Sequence, residues 1–372
     1  MDSGAVVSPP QVGGPFRLLP FQGLRLAPNR IGDQISARAF ARPYRGVAAR
    51  LIAWERTGQL AHDATAALYL HEYTAAGVTV RGLVGALDIS HTATRIEDVV
   101  VLPHEGIHPA QAAELADRMA EMEMNPAPIL LVHRGSDDVR RILREVRDGE
   151  PNHQFTDRSG HYHRVWAIHG PARLEALTDG LAGARTLVAD GHHRFAAYLR
   201  LRETLPGPAT DAGLAMLVDQ GDTPLYLGAI HRVLVGATLA DIATAPQVAS
   251  FTRTGPEEAV ASLGADTLVA TDGHDWGILR LQVGPERLAV QALHNDLLPV
   301  LAHPASDIEY AHSVDDALLG VVDRPAVAIL MPAPEFGDVL RIAATGQLLP
   351  EKATSFQPKP SVGVLIRSLR DG

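Results

Sequence analysis

TLVADGHHRFAAYLRLRE, residues 186–203, is the stretch on which the fold turns. TLVAD is a short apolar run suited to a buried strand, and HHRFAAYLRLRE has the composition of a helix. Gly191 stands between them, where a strand must turn sharply into a helix. A helix that opens at such a turn offers backbone N–H groups and a partial positive charge, which suit a phosphate. Arg194 brings a fork of donors matched to phosphate oxygens, and His192 and His193 bring further donors. Asp190 is placed to hold a magnesium ion or to orient one of these side chains. The simpler alternative is a tight turn whose Asp caps the helix and whose histidines face solvent.

Outward from this stretch, strand-like and helix-like segments alternate. ALYLHEY (67–73) and VTVRGLVGALDI (78–89) form a hairpin, and VVVL (99–102) a short buried strand. PAQAAELADRMAEMEM (109–124) is a helix with Pro109 in its first turn, followed by the strand PILLVH (128–133) and the helix DDVRRILREVRDG (137–149). HYHRVWAIHG (161–170) is a strand and ARLEALTDGLAG (172–183) a helix. Beyond Arg232 come helices in LHNDLLPVLAH and VDDALLGVV and a strand in AVAILM (326–331). The pattern argues for a mixed α/β or α+β architecture, taken here as α+β in three parts: a loose tail over 1–14, a core over 15–235, and a C-terminal α/β region over 236–372 that closes the site.

Composition narrows the function. The 372 residues carry a formal net charge of −10, which disfavours a partner such as nucleic acid or an anionic membrane. The absence of cysteine excludes thiol chemistry, disulfides and Cys-ligated metals. With no long apolar run and no signal-like start, a cytoplasmic protein with no membrane contact is expected.

Three further segments bear on chemistry. Pro103-His104-Glu105-Gly106-Ile107-His108-Pro109 matches H-E-x-x-H, which binds zinc when both histidines share a helix face. Here prolines bracket the motif, and His108 before Pro109 is biased away from helical dihedrals. It is therefore read as a strand-to-helix turn, which either presents Glu105 at the mouth of a sheet or is purely structural. Arg118, on the helix that follows, is a solvated charge or a substrate clamp. LPEKATSFQPK (349–359) either closes over an anionic ligand through lysines such as Lys352 or is a solvated connection. His161 and His163 alternate on a strand and share a face. With no carboxylate pattern beside them, a surface pair is preferred to a metal site.

Taken together, PHE…DR…NPAPI…ADGHHRFAA…HR…LPEKATSFQPK…GVLI resembles the domain-of-unknown-function family one-zero-one-five of the ParB/sulfiredoxin superfamily. The resemblance runs from about Phe16 to about Ile366. It implies a mixed-sheet ParB/sulfiredoxin-like core that binds nucleotide at the DGHHR turn. The free serine kinases of that superfamily pair an HE turn with a DGHHR turn. By this resemblance the catalytic glutamate falls on Glu105, and the phosphate-site residues on Asp190, His192, His193 and Arg194. The implied activity is an ATP- or ADP-dependent phosphotransfer, with Mg2+ at Asp190, to the hydroxyl of a small free amino acid such as serine. Glu105, Asp190 and His193 would serve catalysis, and Gly191, His192 and Arg194 the nucleotide. His104, Arg118 and Lys352 would serve the acceptor. The alternative is a regulatory protein that binds a nucleotide or phosphometabolite without kinase activity. Two departures from the family pattern touch the acceptor's identity: Arg42-Pro43-Tyr44-Arg45 lacks the usual acid, and Lys352-Ala353-Thr354 lacks a hydroxyl.

Overall fold

The computed structural model describes residues 6–9, 11–33, 36, 46–284 and 286–370. Arg42-Pro43-Tyr44-Arg45 lies outside the described residues. The chain divides into two compact units, 1–225 with 358–372, and 226–357. This division falls ten residues before the boundary expected at 235, and it returns the last fifteen residues to the first unit.

In the first unit the described strands and helices are, in chain order, β1 (Val12–Gly13), β2 (Leu18–Leu19), β3 (Gly23–Leu26), α1 (Val47–Arg56), β4 (Leu60–His62), β5 (Leu68–Ala75) and β6 (Val78–Asp88). Next come β7 (Val99–Leu102), α2 (Pro109–Met122), β8 (Met124–Asn125), β9 (Ile129–His133), α3 (Asp137–Arg147), β10 (His153–Thr156) and β11 (Tyr162–Ile168). α4 (Pro171–Leu181), β12 (Thr186–Asp190), α5 (His192–Thr204) and β13 (Ala212–Asp219) complete the run. A large mixed sheet has the order β1-β7-β12-β9-β13-β6-β5-β11-β10, with β2 beside β6. Two of its pairings are parallel, β12 with β7 and β13 with β9. β9 and the body of β12 are apolar and buried on both faces, as strands inside a mixed sheet must be.

The expected elements match, with shifts at their ends that have local causes. α2 stops at Met122 because Glu123 takes a left-handed conformation, φ 51°. The N-terminal stretch carries no periodicity, yet Val7, Val12 and Gly13 pair with the core. Val7 and Ile107 exchange backbone hydrogen bonds, and Val12 lies opposite Val101. Edge pairing of this kind needs no hydrophobic pattern, which is why composition alone suggested a loose tail. The C-terminal strand β14 (Ile366–Ser368) sits between β3 and β8, where the buried Arg367 guanidinium donates to Asn125 Oδ1 and the Ala212 carbonyl.

The second unit holds a six-stranded sheet in the order Val248–Thr254, Trp276–Leu281, Thr267–Thr271, Ala326–Leu330, His231–Val235, Asp307–Ala311. Every pairing in it is antiparallel, so the C-terminal region is α+β rather than the α/β expected. Its core gathers Val233, Val269, Ala328 and Leu330.

One contact sets the depth of α5 on the sheet. The Tyr198 hydroxyl, fully buried, donates towards the carbonyls of Ala127 and Leu214 at 3.0 and 3.2 Å. Burial pushes this phenol well above its ordinary range, so it stays a donor. Tyr198→Phe should lower stability by about 1–3 kcal/mol, because buried carbonyls lose a donor while the ring still packs. Denaturant unfolding should show a lower midpoint at unchanged slope. An unchanged midpoint would free the hydroxyl of any role in seating the helix.

Candidate functional site

Parallel pairing of β7 and β12, with Val101 opposite Thr186 and Leu102 opposite Leu187, ends both strands at the same edge of the sheet. Each strand then turns into a helix, β7 through the His-Glu turn into α2 and β12 through the DGHHR turn into α5. The two helices pack together, and Ile107, Ala112 and Ala196 form a small buried cluster between the turn and the helices. The helix N-termini, with their partial positive charge, are thereby brought side by side.

Histidines lock the two turns. Nε2 of His192, in the first turn of α5, accepts from the backbone N–H groups of His104 at 3.3 Å and Glu105 at 3.4 Å. Nε2 of His193 accepts from the N–H of His108 at 3.1 Å. A ring nitrogen that accepts carries no proton, so both imidazoles are neutral with the proton on Nδ1. Nδ1 of His192 faces the Glu105 carboxylate at 3.8 Å. His104 is fully enclosed and meets the His192 ring edge-on, with centroids 4.7 Å apart. Burial, reinforced by His192, holds His104 well below the usual histidine range against a hydrogen bond to the Val188 backbone. It is a neutral prop beneath the turn.

Asp190 closes β12 and binds two cations. Its Oδ2 accepts from Arg194 at 2.5 Å, and its Oδ1 meets Lys359 Nζ at 2.5 Å. Arg194 uses its other Nη to donate to the Pro128 carbonyl at 2.7 Å. The guanidinium fork thus ties the turn to the chain entering β9. Gly191 caps α5 in the left-handed region at φ 93°, ψ 32°.

The structure therefore brings Glu105, Asp190, Gly191, His192, His193 and Arg194 together, with His104 behind them. Arg118 stands apart. It pairs with Glu121 at 2.9 Å on its own helix, and none of its hydrogen bonds reaches either turn. Lys352 belongs to the second unit, at a left-handed position of φ 56°. There the buried Arg232 donates to the carbonyls of Glu351 and Lys352. Sequence reasoning missed Lys359 as a partner of Asp190, although it lies inside the LPEKATSFQPK match; nothing in its spacing points to residue 190. His163 is not the surface histidine expected: its side chain is fully buried, between His71 and Asp157.

The left-handed turn yields a direct test. Gly191→Ala should cost about 1–2 kcal/mol, since a Cβ is strained at this φ. The added carbon would also stand 3.0 Å from Nε of Arg194, pressing on its pair with Asp190. Gly183→Ala, at an open position, should stay within about 0.5 kcal/mol of wild type. Thermal unfolding of the two variants side by side reads the difference, and equal midpoints would remove the turn's need for glycine.

A family model described as a protein of unknown function (DUF1015) matches residues 18–286. Among solved structures, SbnI with a C-terminal truncation from Staphylococcus aureus is similar at 11% identity and TM-score 0.40, over 76% of this chain and 87% of that one. A free serine kinase variant in complex with ADP is similar at 10% identity and TM-score 0.39, over 76% and 92%. A conserved hypothetical protein from Pyrococcus furiosus gives 11% and 0.39 over 78% and 96%. No curated protein matches the chain. The family match takes in well over half of the sequence and both turns of the site, and the chain belongs to the DUF1015 family.

Proposed function

We propose that the protein is a nucleotide-dependent phosphotransferase acting on the hydroxyl of a small free amino acid such as serine, with ATP or ADP as donor. The core is read as ParB/sulfiredoxin-like and the protein as cytoplasmic; no described helix is long and apolar enough to cross a membrane. The observation that carries the reading is the joint between the two turns. A half-buried carboxylate, Glu105, stands beside two adjacent helix N-termini at the edge of a parallel strand pair. Phosphoryl transfer demands mainly positioning and charge neutralisation, which helix N-termini and nearby cations provide.

In this reading the nucleotide phosphates bind over Gly191 and the start of α5. Glu105 takes the proton from the acceptor hydroxyl as its oxygen attacks the terminal phosphorus, and the bond from phosphorus to the departing nucleotide oxygen breaks. The His192 ring fixes the backbone of Glu105 and stands 3.8 Å from its carboxylate, which orients it as a base must be oriented. Both carboxylate oxygens of Asp190 already face cations, Arg194 and Lys359, so magnesium expected there would have to displace Lys359. No step is routed through it. Arg118 pairs with Glu121 on its own helix, and Lys352 belongs to the second unit, so the roles of both at the acceptor carboxylate rest on the resemblance alone.

Incubation with ATP or ADP, magnesium and a pool of hydroxylated amino acids, followed by mass spectrometry, tests the activity. Glu105→Gln keeps shape and hydrogen bonding but cannot accept the proton. It should retain nucleotide affinity in calorimetry while losing about 10²–10⁴ in turnover. Turnover within a few-fold of wild type would remove Glu105 from the chemistry. Nucleotide binding without phosphate transfer to any acceptor would make the protein the regulatory binder instead.

A further inference from the structure

The hairpin of β10 and β11 ends in the turn Asp157-Arg158-Ser159-Gly160-His161. Gly160 at φ 81° permits the tight reversal, and the Asp157 N–H donates to the His161 carbonyl at 2.9 Å. Asp157 Oδ1 is consumed locally, accepting from the N–H groups of Ser159 at 2.8 Å and His161 at 2.9 Å. This aims the second oxygen, Oδ2, at the imidazoles. It lies 3.1 Å from Nε2 of His163 and 3.8 Å from Nδ1 of His161. The Ser361 hydroxyl completes the group, 2.6 Å from that same oxygen and 3.2 Å from His161 Nδ1.

The 3.1 and 3.8 Å spacings suit a coordination shell as well as a hydrogen bond. Ligand atoms around a tetrahedral zinc, each roughly 2.0–2.2 Å from the metal, stand about 3.4 Å apart, and the two spacings here bracket that value. The three donors lie within 4.8 Å of one another. Asp157 and His163 are fully buried, whereas His161 keeps 29% of its side chain exposed, so the cluster is dry on one side and open on the other. A second layer is present too: His163 Nδ1 lies 3.0 Å from Nε2 of the buried His71. If His163 donates its Nδ1 proton to His71, its Nε2 lone pair faces Asp157 Oδ2, and a cation between them satisfies both. Outer partners of this kind fix the tautomer of metal-binding histidines.

We infer that Asp157, His161 and His163 form a binding site for one divalent cation of the zinc class, with Ser361 or a water on the fourth side. Two neutral imidazoles and one carboxylate suit zinc or cobalt; magnesium and calcium prefer all-oxygen shells. The site shares no residue with the nucleotide reading and does not rest on it. A bound ion would staple the hairpin turn to the C-terminal segment that holds Ser361, already anchored where Tyr73 donates to the Pro358 carbonyl at 2.6 Å.

The full chain, stripped with a chelator, should bind one equivalent of zinc in calorimetry with Kd below about 1 μM. Cobalt in its place should give the intense visible absorption of a tetrahedral centre. His161→Ala, which touches the least buried ligand, should weaken zinc binding by more than the ~10–100-fold that loss of a mere supporting partner costs. His104→Ala should leave it unchanged, which separates this cluster from the H-E-x-x-H turn. Circular dichroism confirms that both variants fold, and the cobalt spectrum of the wild type needs no variant at all. Absence of zinc binding, a His161→Ala variant that binds as wild type, or loss of the ion in His104→Ala would each overturn the site. In that event the cluster is the hydrogen-bonded pair of the other tautomer, with His163 Nε2 donating to Asp157.

Discussion

Parallel pairing of two short strands governs the candidate site. β7 and β12 are separated by more than eighty residues, yet pairing in one direction forces both to end at one edge of the sheet. The turns that follow them have no choice but to meet. Side-by-side helix N-termini are electrostatically unfavourable, since like partial charges approach one another. The chain offsets this with acceptors. His192 and His193 place unprotonated ring nitrogens against backbone N–H groups of the opposite turn. Two adjacent histidines at a helix start are thus explained before any ligand is considered.

The same fact accounts for what was legible in the sequence. TLVAD followed by glycine and a helix identifies the second turn by itself, because an apolar run, a flexible residue and a helical composition are all local signals. The prolines around His104-Glu105 likewise exclude a zinc-binding helix from local geometry alone, and His108 is indeed extended before Pro109, at φ −86° and ψ 114°. That the two turns lie together was not local. It depends on strand order, and only the family resemblance brought them together at the level of sequence.

The surface reading of His161 and His163 assumed alternation along a continuous strand. His161 in fact belongs to the turn and Tyr162 begins β11, so the two side chains converge on Asp157 rather than lining an exposed face. The carboxylate four residues before His161 was within sight but is brought back by the reversal at Gly160. Lys359 and Ser361 reach their partners from the C-terminal segment, a contact across more than 160 residues that no spacing rule records. Arg118 and Lys352 are marked by motif position and charge, and neither signal says where a side chain ends; Arg118 turns to Glu121 on its own helix.

Asp190 shows how the arrangement constrains any anion that binds at this turn. Its two cations are not equivalent. Arg194 is mostly buried and is also tied to the Pro128 carbonyl, so moving it would strand a carbonyl and a carboxylate together. Lys359 is half exposed, on a flexible stem, and among the described residues its ammonium pairs with Asp190. An exposed ion pair of this kind contributes little to stability and exchanges partners readily. Under the proposed function, a phosphate over α5 would meet Lys359 as the more loosely held of these two cations. Arg194, in the folded chain, holds the aspartate in place, and Lys359 is the more exposed of its two cations.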